Sequence, residues 1–118
     1  MNPIDIAKEA WAAASDKKAV RPVLLDLRGL ADFCDYQFIC SGENDRQTRA
    51  IAEAIEDRCK KNGVRPAAVE GRQTGNWITL DYGSTIIHVF FDYLRDYYAL
   101  EEIWPKAKFV QLGAGADA

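Results

Sequence analysis

The stretch Gly75-Asn76-Trp77-Ile78-Thr79-Leu80-Asp81-Tyr82-Gly83-Ser84-Thr85-Ile86-Ile87-His88-Val89-Phe90 decides the fold. It reads as two β-strands joined by a tight turn at Gly83-Ser84. Alternate residues of a strand point to opposite faces. Ile78, Leu80 and Tyr82 therefore form one row, and Trp77, Thr79 and Asp81 the other. A row holding a large aromatic, a hydroxyl and a carboxylate suits a protein-binding surface better than a core. Tryptophan gives large contact area at little entropic cost. Either this row is open, or a helix covers it and buries Trp77; periodicity leans towards an open row. His88 falls by parity with Ile86 and Phe90, with no serine or cysteine elbow nearby. A hydrogen-bonded structural histidine, or one at a rim, is favoured over a catalytic base.

Upstream, Asn2-Pro3 opens a helix with a cap and a proline at its first position. Ile4, Ala7, Trp11 and Ala14 give it one apolar stripe, and Ser15-Asp16-Lys17-Lys18 ends it. Val23 to Leu27 reads as a mostly buried strand, and Asp35-Tyr36 starts a second that runs through Phe38, Ile39 and Cys40 to Ser41-Gly42. Asn44, with Gln47 three residues on, caps the longest helix. Its buried stripe is Ile51, Ile55 and Cys59, and Gly63 stops it. A short strand near Ala67 to Val69 precedes the Trp77 strand, and another spans Thr85 to Phe91. Asp92 then starts a final helix whose Tyr93, Tyr97, Leu100 and Trp104 share a face, up to Pro105.

The order α-β-β-α-β-β-β-α, without repeat or linker, predicts an α/β (α+β) single domain. Its mixed β-sheet of about five strands is flanked by helices, with a parallel crossover after strand two and a hairpin at Gly83. Residues 1–110 form the domain, and 111–118, with Gly113-Ala114-Gly115-Ala116, read as a disordered tail.

At 118 residues, 48% hydrophobic and 28% charged, the composition is that of one ordinary globular domain. No apolar run approaches the ~20 residues of a membrane span, and the N-terminus lacks signal- or transit-peptide layout, so a cytoplasmic address is expected. A formal charge of -3 disfavours nucleic acid as primary partner and suits a basic protein. The three cysteines, Cys34, Cys40 and Cys59, are widely spaced and His88 is the single histidine. Buried free thiols are expected, with no metal or cofactor. Asp32 and Asp35 have the wrong spacing for an Asp-x-Asp metal pair. Ser41-Gly42-Glu43-Asn44 reads as a capped strand-to-helix turn rather than an anion site.

The ordered pieces Val23-Leu24-Leu25-Asp26-Leu27-Arg28-Gly29-Leu30, Asp35-Tyr36, Ser41-Gly42, Asp45-Arg46-Gln47, Gly63-Val64-Arg65-Pro66 and Val69-Glu70-Gly71 continue into Trp77-Ile78-Thr79-Leu80-Asp81-Tyr82-Gly83. His88-Val89-Phe90, Arg95-Asp96-Tyr97-Tyr98 and Leu100-Glu101-Glu102-Ile103-Trp104 complete the set. Over about residues 3 to 104 the chain resembles the ribosomal silencing factor (RsfS, Iojap) family. The resemblance implies a nucleotidyltransferase-like fold without catalytic acids and no enzymatic activity. It implies docking on ribosomal protein fourteen of the large ribosomal subunit, where a bound protein blocks joining of the small subunit. A role in large-subunit maturation and a homodimer are also implied. Carried over by position, Trp77 and Asp81 form the docking face, Tyr82, His88 and Tyr98 are neighbours, and Glu70 and Arg95 are supports. Parity joins Trp77 to Asp81 and puts Tyr82 and His88 on rows whose orientation it does not fix. Asn76 and Ser84 stand where the family pattern often has acids, and Phe91-Asp92-Tyr93-Leu94 replaces a more polar stretch. The enzymatic alternative is a small Mg-dependent nucleotidyltransferase using Asp26, Asp35 or Asp81. A third reading is a dimeric adaptor assembling through Phe91 and Tyr93.

Overall fold

A computed structural model describes residues 1–112. Helix α1 spans Pro3–Asp16 and α2 spans Asp45–Lys61; β1 is Val20–Asp26, β2 Tyr36–Gly42, β3 Ala68–Glu70, β4 Trp77–Asp81 and β5 Thr85–Phe91. Helix α3, Asp92–Tyr98, is followed by a 3-10 turn at Leu100–Ile103 and by β6, Lys108–Phe109. The six strands form one sheet in the order β3-β4-β5-β2-β1-β6. Its centre is the parallel pair β2–β5, and the other pairings are antiparallel. The expected crossover and hairpin are both present.

All seven residues of β2 are buried, as expected of a strand with neighbours on both sides and layers on both faces. On one face, Leu24, Phe38, Cys40, Ile78, Leu80, Ile87 and Val89 pack against Ile6, Ala10 and Trp11 of α1 and Ile51, Ile55 and Cys59 of α2. Each large side chain withdrawn from water here contributes about 1.5–3 kcal/mol. Asn44 caps α2, its side chain accepting from the Gln47 N–H at 2.8 Å. The Gln47 side chain turns back to accept from the Glu43 N–H at 2.7 Å. These main-chain donors are spent within the turn, which is therefore a cap.

On the opposite face Leu25, Leu27, Cys34, Ile39 and Phe90 form a second cluster, joined by Trp77, Ile86, Leu100 and Trp104. All three cysteines are free and buried, and burial pushes the Cys40 thiol up to about 12.

Three features differ from expectation. Strand β6 is a sixth, edge strand, too short to leave a periodic signal. Strand β1 begins three residues early because it contains a bulge: register jumps between Val20 and Val23, with Arg21 at φ 50. Pro22, which has no N–H to give a ladder, is tolerated at such a site. The last helix breaks at Ala99 (φ 47). Tyr93 and Tyr97 are consequently more than four-fifths exposed, while Leu100 and Trp104 turn inward. The expected common face of these four residues does not exist. Of the expected tail, residues 113–118 lie outside the described residues; Leu112 packs into the first cluster. Among the described residues no helix is long and apolar enough to cross a membrane.

Candidate docking face

The turn after β4 sets the site. Gly83 takes φ 85, the Tyr82 N–H donates to the Thr85 carbonyl at 3.0 Å, and Asp81 Oδ1 accepts from the Gly83 N–H at 2.7 Å. This two-residue turn places Asp81 opposite Ile86, Thr79 opposite His88 and Trp77 opposite Phe90. Residues directly opposite in a ladder share a face. Trp77, Thr79, Asp81, His88 and Phe90 therefore line one side of the hairpin, and Glu70, opposite Thr79 on β3, joins them.

Neither α1 nor α2 lies on this side, since both pack on the other. Trp77, Thr79 and Asp81 are half-buried, and Glu70 is exposed. Trp77 stacks on buried Phe90 with centroids 4.8 Å apart, and Tyr98 from the end of α3 meets it at 4.8 Å. Its indole N–H donates to His88 Nδ1 at 3.0 Å. That bond fixes the tautomer, leaving the proton of neutral imidazole on Nε2. His88 is buried, and desolvation lowers it to about 4. It is a hydrogen-bonded structural histidine that holds an aromatic plate.

The loop into Trp77 is held from α2. Thr48 Oγ1 donates to the Gly75 carbonyl at 2.7 Å, and Arg49 donates to the carbonyls of Arg72 at 2.9 Å and Gln73 at 2.7 Å. Gly71 (φ 86) passes so close to β4 that a Cβ would lie 1.9 Å from the Trp77 carbonyl oxygen.

Of the residues expected at a docking face, Trp77, Asp81, His88, Tyr98 and Glu70 come together. Tyr82 does not: it points to the helical layer, beside Cys59, where burial raises its phenol well above its ordinary value. Arg95 is buried at 3% exposure. It donates to the Arg21 carbonyl, to Ser41 Oγ at 3.0 Å and to Glu101 Oε1 at 2.6 Å. It is a support, tying α3 to the bulge of β1, to β2 and to the 3-10 turn. The Asn76 carbonyl accepts from Phe91 and that of Ser84 from Asp35 and Tyr36. Both positions serve the fold through the main chain.

Phe90 is the contributor that parity misses. A turn centred on Gly83-Ser84 already dictates which residues face one another, so counting outward from it pairs Trp77 with Phe90 and Thr79 with His88.

Among the carboxylates, Asp26 is engaged by Arg28 at 2.8 and 3.0 Å and Asp81 by its own turn. Among the described residues no group of three His, Cys, Asp or Glu side chains is placed to hold a metal ion.

The family described as "Ribosomal silencing factor during starvation" (RsfS) matches residues 1–117. The chain is 38% identical over 117 residues to the ribosomal silencing factor RsfS of Bacillus subtilis, covering 99% of each. A crystal structure of a protein from Chromobacterium violaceum superposes with a TM-score of 0.86 at 29% identity, covering 100% of both chains. A mouse protein named for mitochondrial assembly of the ribosomal large subunit is 29% identical over 80 residues, covering 65% of this chain and 35% of its own. By sequence along nearly its whole length and by fold, the chain belongs to the ribosomal silencing factor family.

Proposed function

We propose that this protein is a translational repressor of the cytoplasm that docks on the large ribosomal subunit, at its ribosomal protein fourteen, and keeps the small subunit from joining. It works by occupying space, with no bond made or broken. The observation that carries this reading is the Trp77 face. A tryptophan held by stacking and by a hydrogen bond, yet half-open, is a pre-organised hot spot, and Asp81 and Glu70 beside it complement a basic partner. The names of the Bacillus and mouse relatives support the ribosome, and its large subunit, as the target.

The test is sedimentation of purified large and small subunits at joining Mg²⁺ concentration, with and without the protein. Co-migration with the large subunit and loss of the joined peak are expected. Trp77→Ala should restore joining, since loss of a hot spot costs about 2 kcal/mol or more, over tenfold in affinity. Co-migration with undiminished joining would replace silencing by a role in large-subunit maturation. Absence of binding would overturn the proposal.

A further inference from the structure

At the far edge of the sheet from β3, a hollow of about 440 Å³ is lined by Asp26, Arg28, Leu30, Lys106 and Lys108. The chain is net acidic, yet the lining of this hollow holds three cations to one carboxylate, and that carboxylate is already engaged; Asp35 is a second, weaker acidic neighbour of Arg28. Arg28 donates to Asp26 through Nε at 3.0 Å and Nη2 at 2.8 Å, and its guanidinium sits 5.4 Å from the Tyr36 ring centre. Asp26, held below its ordinary value chiefly by this bond, thus fixes the direction of a guanidinium whose side chain is 63% exposed. The Nη1 donors of Arg28 remain for a ligand. Lys106 and Lys108 are exposed, and among the described residues neither forms a salt bridge. Lys108 is held to the sheet by β6, where it faces Asp26 across the β1–β6 ladder.

A rigid guanidinium with two ammonium groups around a hollow has the chemistry of a phosphate clamp. We propose that this corner binds the phosphodiester backbone of RNA, a contact separate from the Trp77 face. Resting on the function proposed above, the RNA is that of the large subunit, whose surface surrounds any ribosomal protein with phosphates. One domain then makes two contacts of opposite character: an aromatic and acidic one to protein, a basic one to RNA.

The decisive experiment measures anisotropy of a short fluorescein-labelled single-stranded RNA at several salt concentrations, alongside co-sedimentation with large subunits. The proteins are wild type, the mild double variant Lys106→Gln/Lys108→Gln, and a charge-matched control, Lys60→Gln/Lys61→Gln, at the end of α2. Removing two phosphate contacts should weaken RNA binding at least about fivefold and flatten the log–log salt slope by about 1.4, with the control unchanged. Equal binding by wild type and the double variant, or none by either, overturns the proposal. Competition by inorganic phosphate as effective as by unlabelled RNA reduces the hollow to a single-phosphate site and overturns the RNA assignment. If wild type binds RNA through these lysines but does not sediment with large subunits, the clamp stands and the proposed function falls.

Discussion

The indole N–H of Trp77 is bonded to His88 Nδ1 at 3.0 Å, so the one polar side-chain atom of this tryptophan is consumed inside the domain. What it offers a partner is the ring face and edge. Its position depends on a histidine that is neutral by burial.

His88→Phe keeps the ring packing but leaves the half-buried indole donor without its partner, which should cost about 1 kcal/mol, read by urea denaturation. The pH response follows from the direction of the shift. A folded value of about 4 against an unfolded value near 6.5 means that the unfolded chain takes up the proton first on acidification. Stability should therefore be full above pH 6.5, fall by up to roughly 3 kcal/mol between pH 6.5 and 4, and level off below. His88→Gln should flatten this slope, measured as Tm against pH.

Gly71 and Gly83 share a left-handed backbone but not their surroundings. Gly83→Ala meets nothing within 4 Å and should cost only the backbone penalty of about 1–2 kcal/mol. Gly71→Ala drives a Cβ into the Trp77 carbonyl and should destabilise more than Gly83→Ala while displacing β4. Denaturation midpoints and the indole N–H resonance of Trp77 distinguish the two.

Arg95→Met removes a buried cation from Ser41, Glu101 and the Arg21 carbonyl. Loss of one partner from such a network costs about 3–5 kcal/mol. Hydrogen exchange should report α3 and the following turn opening before the rest of the sheet. Arg95→Lys should restore only part of the protection, because an ammonium cannot reproduce the planar fork.

Asp81→Asn retains an oxygen for the Gly83 N–H and removes the charge. Stability should stay within about 0.5 kcal/mol of wild type, while large-subunit binding weakens and its salt dependence flattens. Tyr82→Phe, on the helical side, should leave subunit binding unchanged. An equal loss in both variants would show that the two faces are not independent.

Much of this was legible in the residues. Period-two patterning around Gly83 gives the hairpin, and the long capped helix after β2 forces the parallel crossover. Trp77 and Asp81 share a row in sequence and in space. The placement of His88 was latent in the turn, but parity within one strand does not supply a partner's register. The last helix misled because periodicity cannot register a break at Ala99, where no glycine or proline announces it. The burial of Arg95 was equally hidden, since its hydrogen-bond partners come from β1, β2 and the 3-10 turn.

The parallel pairing of Tyr36 with Thr85 also sets an order of events during synthesis. The centre of the sheet needs segments separated by α2 and two further strands, a long loop whose closure slows folding. The Thr85 hydroxyl donates to the Pro3 carbonyl at 2.7 Å, so even the first helix finds one of its attachments only when β5 arrives. A nascent chain halted before β5 has Trp77 but neither His88 nor Phe90 to hold it. On the function proposed above, a newly made copy gains its docking surface only once β5 has emerged, and a fragment ending before β5 should fail to bind the large subunit.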